Sequence, residues 1–284
     1  MTGAPSAVTR LTGRAVAAVR PIGAGVFAAD LADGTAVVAK RHAEPSAAAA
    51  EVASLRWLAE DPSPVRLPAV LGSDDTWVVM ERVPDGRAGP RAAEEFGRAL
   101  AALHRRGTPA FGAGPPGGPV DAWIGAARMR NEPGASWPSW YAGHRIRPYL
   151  RQAVTAGSFD RTAAAVLERV CDRIGDLAGP PEPPARLHGD LWAGNVLWAP
   201  DGVWLIDPAA HGGHRETDLA MLALFGCPHL DRILAAYDEA APLAAGWRDR
   251  VPLHQLFPLL VHTVLFGGGY AGQTVAAARR ALAG

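Results

Sequence analysis

Apolar residues between positions 15 and 40 come in short runs separated by turns. The run AVAAVRPIGAG leads into VFAADLADGTAVVAK. Asp33-Gly34 is a hairpin signal, so Thr35 to Ala39 form a strand that ends on Lys40. Val70-Leu71-Gly72 and Trp77-Val78-Val79-Met80 read as two further strands. Between these strands, Pro45-Ser46 opens a helix on which Glu51, Leu55 and Leu58 fall at i, i+4 and i+7. The pattern breaks at residues 81–86. From Pro90 the period becomes helical: Phe96, Leu100 and Leu103 share a face, and Gly107 closes the helix as its C′ residue. A Gly/Pro loop over 107–120 precedes two aromatic-rich segments, 121–131 and 136–150. Ser158 is the expected cap of a helix running to about Leu177. Thr217 is the expected cap of another, with Asp218 in its first turn, and three or more helices finish the chain. The order predicts an α+β fold. A small N-terminal antiparallel sheet with one helix spans residues 1–83, a larger mainly helical lobe spans 84–284, and a hinge lies at about 80–88.

Composition narrows this picture little, except at one residue. The 284 residues carry a formal net charge of zero and are 49% hydrophobic. Neutral charge gives no support for nucleic-acid or membrane partners. The apolar stretch from Leu256 to Phe266 is too short to span a bilayer, and MTGAPSAVTRL shows no secretory h-region. Cys171 and Cys227 have no metal-type spacing. A cytoplasmic monomer is expected. Of the 28 basic residues Lys40 is the one lysine, which leaves 27 arginines. Lysine is a compact point charge suited to phosphate oxygens, so the exception marks a position where a guanidinium does not fit.

The chain is organised around residues 187–221, LHGDLWAGNVLWAPDGVWLIDPAAHGGHRETDLAM. Two apolar runs flank Pro200-Asp201-Gly202, which reads as a tight hairpin. A register symmetric about Asp201 places Asn195 opposite Asp207, with Asp190 at the open end. A one-residue shift would instead put Asn195 and Asp207 on different faces. An amide oxygen and carboxylates converging on one point suit a hard cation such as Mg²⁺. Singly, each of these residues reads as a turn or cap residue. Together, an Asp, an Asn five residues on, and an Asp at the end of the next strand form the catalytic-loop and metal-Asp arrangement of protein kinases. His188-Gly189-Asp190 stands for H-R-D, and Ile206-Asp207-Pro208 for D-F-G.

The N-terminal part supplies matching pieces. Glu51 shares a face with core leucines and needs a cation partner; Lys40, eleven residues upstream on a strand, is the candidate. A strand Lys paired with a helix Glu orients nucleotide phosphates in kinase-type folds. Gly23 and Gly25 sit in the preceding turn, where backbone N–H groups can approach phosphates, although the full G-x-G-x-x-G spacing is absent.

LHGDLWAGNVLW, IDPAAHGGH and ETDLAM resemble the fructosamine kinase (ketosamine-3-kinase) family, a branch of the aminoglycoside-phosphotransferase and choline-kinase group with a two-lobe, protein-kinase-like fold. SWYAGHRIRPYL resembles its W-x-x-F/Y…R-L-R-P-x-L segment, and Val79-Met80-Glu81 its hinge. The resemblance covers roughly residues 20–270. It implies that Asp190 is the catalytic base, that Asn195 and Asp207 hold Mg²⁺, that Lys40 and Glu51 orient ATP, and that Met80, Glu81, Arg82 and Val83 form the adenine hinge. The implied acceptor is a small sugar amine or a glycated protein, and Trp192, two residues after the base, is placed on the acceptor side. The turn IGAGVFAAD is shorter and poorer in Ser and Gly than the family pattern. Three alternatives remain open. A metal-dependent hydrolase built on His188, Asp190, Asp207, His211 and His214 would leave Lys40 and Glu51 without a role. A catalytically dead binding module would lack one of Lys40, Asp190, Asn195 or Asp207. A kinase for another hydroxylated molecule, such as an aminoglycoside, is opposed by Trp192 and the D-P-A run.

Overall fold

The first element is a helix that the apolar pattern had not suggested. In the computed structural model, which describes residues 3–284, α1 (Ala4–Thr12) starts on Pro5 and stops at Gly13, whose φ of 70° closes the last turn onto the Thr9 carbonyl. Residues 1–2 of the expected N-terminal lobe lie outside the described range. Ala7, Val8 and Leu11 pack on the outer face of the sheet with Leu31, Val37, Trp77 and Val79. The sheet therefore carries two helices rather than one. Pro5, the i, i+4, i+7 apolar spacing of Ala4, Val8 and Leu11, and a terminal glycine were the available signals.

The sheet is antiparallel in the order β1-β2-β3-β5-β4, built from β1 (Val16–Gly23), β2 (Val26–Leu31), β3 (Ala36–Arg41), β4 (Val70–Ser73) and β5 (Trp77–Glu81). Helix α2 (Pro45–Leu58) crosses between β3 and β4, with Pro45 in its first turn, where a missing N–H costs nothing. Residues 82–89 then lead to α3 (Pro90–Arg105), the first helix of the larger lobe, which Gly107 ends at φ 62°.

The larger lobe is mainly helical, with short hairpins set into it. The hairpin β6 (Asp121–Ile124) and β7 (Ala127–Arg130) accounts for the first aromatic-rich segment. The second is α4 (Trp137–Tyr141), which passes through a π-helical segment, Ala142–Ile146, into α5 (Arg147–Thr155). Its Arg145 is buried without a carboxylate partner. The guanidinium donates to the Arg130 carbonyl and to Asn131 Oδ1 and lies 4.5 Å from the Trp140 ring centroid. Helix α6 (Arg161–Leu177) is capped not by Ser158 but by Asp160, whose Oδ1 accepts from Ala163 N–H at 2.7 Å. The remaining elements are β8 (Ala185–Leu187), β9 (Val196–Ala199), β10 (Gly202–Leu205), β11 (His211–Gly213), α7 (Glu216–Leu224), α8 (Leu230–Ala240), α9 (Trp247–His254), α10 (Leu256–Phe266) and α11 (Gly268–Ala283).

Apolar packing continues across the lobe boundary. One core joins Val52, Leu55 and Met80 of the sheet side to Leu100, Leu191, Val196, Leu205 and Leu219 of the helical side. Ala50 of α2 belongs to the other large core, beneath α4–α6 and α10. At the start of α2, Trp123 Nε1 of the β6–β7 hairpin donates to Ser46 Oγ at 2.9 Å. Helix α2 is thus fixed from both sides of the cleft.

Candidate active site

The hairpin β9–β10 is tighter than a centre at Asp201 implies. Ala199 pairs with Gly202 and Val196 with Leu205, so the turn holds only Pro200 and Asp201. Continuing that register sets Asn195 against Ile206, whose N–H donates to the Asn195 carbonyl at 3.1 Å. The expected face-to-face pairing of Asn195 and Asp207 is corrected by one residue. Asp207 instead turns out of the strand in the left-handed region, at φ 53°, which is uncommon for a residue with a Cβ. That turn brings its Oδ1 to 3.0 Å from Lys40 Nζ, the ammonium at the end of β3.

Lys40 also reaches Glu51 Oε1 of α2 at 3.2 Å. Burial alone would lower the Lys40 ammonium, but the Glu51 and Asp207 carboxylates outweigh it and hold it above its ordinary value. Asp190 follows the tight His188-Gly189 corner. Gly189 has φ 82°, and a Cβ there would lie 2.1 Å from the Ala209 carbonyl oxygen, so the corner admits only glycine. His188 is fully buried, and burial pushes it down to about 4, so it is neutral. Its Nε2 donates to the Ile206 carbonyl at 3.1 Å, and its Nδ1 accepts from Asp190 N–H at 3.3 Å. Asn195 Nδ2 donates to the Asp190 carbonyl and to Asp190 Oδ2, at 2.8 and 3.1 Å. Burial pushes Asp190 up to about 7. The Asp207 and Asp218 charges add to this, while the Asn195 hydrogen bond and Lys40 oppose it. The result is a carboxyl poised for general-base work near neutral pH.

Asp218 is not a helix-terminus charge, as its place after Thr217 suggested, and neither residue caps the helix: both lie inside the first turn of α7. The Asp218 side chain accepts from His188 N–H at 2.8 Å and Gly189 N–H at 3.0 Å, and it faces His104 Nε2 at 3.1 Å. His104 Nδ1 in turn meets Tyr237 Oη at 2.8 Å. The catalytic loop therefore hangs from a buried polar chain drawn from α3, α7 and α8. Nothing in the spacing could reveal it, because His104 and Asp218 stand 114 residues apart.

A cleft of about 390 Å³ opens beside Lys40 between the sheet and the hairpin. Met80, Glu81, Arg82 and Val83 line one wall, and Leu197 and Ile206 the opposite one. Gly23 and Gly25 do not line it; their turn contributes Ile22 and Val26 instead. A larger hollow of about 690 Å³, on the outer face of α2 beside Arg56 and Asp75, holds none of the groups above. The oxygens on offer suit a hard cation: the Asp207 carboxylate, and the Asn195 amide oxygen left free once its nitrogen is committed to Asp190. The buried trio His214, Glu216 and His254 is a poor metal site by contrast, because Arg250 grips both Glu216 oxygens, at 2.9 and 2.6 Å. His211 is likewise engaged locally, through its Nδ1 on the Ala209 carbonyl. These contacts leave the hydrolase reading without a ligand set.

Trp192 lies on the surface beside the base, 39% exposed and edge-to-face with Phe225 at 6.2 Å. The indole lies against the loop over Gly194, where a Cβ would come within 2.2 Å of the ring. Phe225 meets His262 and Tyr270, extending the aromatic surface away from Asp190.

A sequence profile described as fructosamine kinase matches residues 32–283. The chain belongs to the fructosamine kinase family. A candidate fructosamine-3-kinase of known structure from Thermobifida fusca YX-ER1 is 49% identical, with a TM-score of 0.92 over 99% of both chains. A candidate ketoamine kinase of Enterococcus faecium is 32% identical over 203 residues, 71% of this chain and 70% of that protein. The ketosamine-3-kinase of Mus musculus is 38% identical over 141 residues, 49% of this chain and 45% of that protein. A thermostable mutant of the aminoglycoside phosphotransferase APH(4)-Ia is 17% identical with a TM-score of 0.65, and so shares the fold. As a member of the fructosamine kinase family the chain is a phosphotransferase, and the relatives make it a ketosamine kinase. An aminoglycoside acceptor is not favoured.

Proposed function

We propose that the enzyme transfers the γ-phosphate of ATP to a sugar hydroxyl of a ketosamine, a fructosamine or ribulosamine, in a deglycation-type reaction that depends on Mg²⁺. The observation that carries this reading is the Asp190 carboxyl, raised to about 7 and tied to Asn195, within one cluster with Lys40, Glu51 and Asp207. Asp190 accepts the proton of the acceptor hydroxyl as its oxygen attacks phosphorus. Lys40, steadied by Glu51, holds the α- and β-phosphates. Asn195 and Asp207 hold the metal, which when bound neutralises phosphate charge. Backbone groups from Met80 to Val83 seat the adenine, and Trp192 covers a face of the sugar or its cationic amine. Gly23 and Gly25 are left with a looser role, allowing the β1–β2 turn to fold over the phosphates.

The acceptor is a free sugar amine or a glycated protein. Among the described residues no helix is long and apolar enough to cross a membrane, and the balanced charge offers nucleic acid no basic face. We take the enzyme to act as a cytoplasmic monomer. The test is ATP consumption on fructosamine, ribulosamine and aminoglycoside acceptors, with and without Mg²⁺. Turnover of a ketosamine alone, abolished by chelation, is the expected result. Turnover of the aminoglycosides alone would overturn the acceptor assignment.

A further inference from the structure

The Lys40–Glu51 pair has a third member. Lys40 and His42 are two residues apart along the strand direction, so their side chains emerge on the same face, and α2 begins three residues after His42. His42 Nε2 lies 2.6 Å from Glu51 Oε2, the oxygen that Lys40 does not use. The ring is only 11% exposed, and neither atom has another hydrogen-bonding partner in the structure. The His42 backbone is fixed as well, its N–H donating to the Thr76 carbonyl at 2.7 Å. Burial pushes the Glu51 carboxyl upward, but the hydrogen bond to His42 and the Lys40 charge outweigh it, and it stays ionised.

We propose that His42 is a positioning residue for the nucleotide: it holds the far oxygen of Glu51 so that the near oxygen keeps Lys40 directed at the phosphates. Lys40 is contested. Asp207, across the cleft, draws the same ammonium at 3.0 Å, closer than Glu51 does at 3.2 Å. A Glu51 carboxylate tied at one oxygen only can swing about its last torsion, which is broad. Tied at both, it is a fixed anchor. Without His42 one Glu51 oxygen is buried and unpaired, the carboxylate turns toward the cleft, and Lys40 settles onto Asp207, occupying a metal ligand at the expense of the phosphates.

This inference rests on the assignment of Lys40 and Glu51 to the nucleotide site, and the experiment separates the two. KM for ATP, KM for a fructosamine, kcat and thermal melting are measured in His42→Ala, His42→Gln and Lys40→Ala. His42→Ala should raise KM for ATP about tenfold, the size of one lost buried hydrogen bond, with KM for the acceptor unchanged. His42→Gln, whose amide N–H₂ reaches the Nε2 position, should recover most of that loss. Lys40→Ala should raise KM for ATP further. A wild-type KM for ATP in His42→Ala, with Lys40→Ala impaired, would overturn the role of His42 alone. Equal losses in the Ala and Gln variants, matched by equal drops in melting temperature, would reduce His42 to packing. Unchanged ATP kinetics in Lys40→Ala would remove the nucleotide site itself.

Discussion

Asp190 titrates near 7 in the fold against an ordinary 3.8, because it is buried among other negative charges. Its neutral form is the one the fold favours. The stability this contributes is complete below about pH 4 and is lost as pH rises toward 7. Asp190→Asn removes a charge the fold holds at a cost and removes the base from the chemistry. Two opposite effects should follow. Turnover should fall by roughly 10²–10⁴. The nucleotide-free variant should melt above wild type at pH 8, with the gap narrowing by pH 5. Near-full turnover would take Asp190 out of the base role, and a gap that does not change with pH would mean that its charge is not the strained element. Trp192 can be tested in the same way. It is 39% exposed, so Trp192→Leu should leave melting unchanged and raise the ketosamine KM about tenfold, the size of a desolvated ring–cation contact. A parallel loss of stability and ATP binding would instead make it a packing residue. The four polar residues of the site were legible because motif spacing is local. Lys40 stood out by composition, and Asp190, Asn195 and Asp207 by their separations. His42, His104 and the true partners of Asp218 were not legible, since each acts through a contact that only tertiary folding creates.

At the scale of elements, the catalytic loop is hung from α7 rather than supported by its own hairpin. Asp218 accepts two backbone N–H groups of the loop and faces His104. Asp218→Ala leaves those donors buried and unpaired, at about 1–3 kcal/mol each. A loss of about 3 kcal/mol should lower melting by roughly 6–12 °C and should lower kcat by more than the KM for ATP changes, because the corner that aims Asp190 is released. Wild-type kcat with lowered melting would show that the loop keeps its shape unaided. The elements most visible in the sequence were those whose apolar period meets one core, such as β3, α2, β5 and α3. Their limits were less visible where two caps competed: Ser158 and Asp160 both precede α6, and only the geometry of the last turn selects Asp160. The β9–β10 register failed by one residue because Pro200 and Asp201 suffice to close the turn.

At the scale of the whole molecule, the lobes proposed for residues 1–83 and 84–284 do not own separate cores. Val52, Leu55 and Met80 pack in one cluster with Leu100, Val196 and Leu205, and Ala50 sits in the core of the helical lobe. Thermal unfolding should therefore be a single transition, and ATP with Mg²⁺, which spans the cleft, should raise it. At a hundredfold excess over Kd the shift corresponds to about 2.7 kcal/mol. Lys40 lies at the centre of that response, paired with Glu51 on one side of the cleft and Asp207 on the other. Lys40→Arg keeps the charge, and 27 other basic positions already carry Arg. The guanidinium, however, is planar and wider, with donors in one plane, where two carboxylates and the phosphates call for a compact charge with donors pointing several ways. Misplacement by about 1 Å can cost on the order of 10²-fold in rate. The Arg variant should melt as wild type without ligand, show a smaller rise with ATP and Mg²⁺, and lose most of its kcat. Wild-type kcat together with a full ligand-induced rise would make the lone lysine incidental, and would break the link between the two sides of the cleft on which the nucleotide assignment depends.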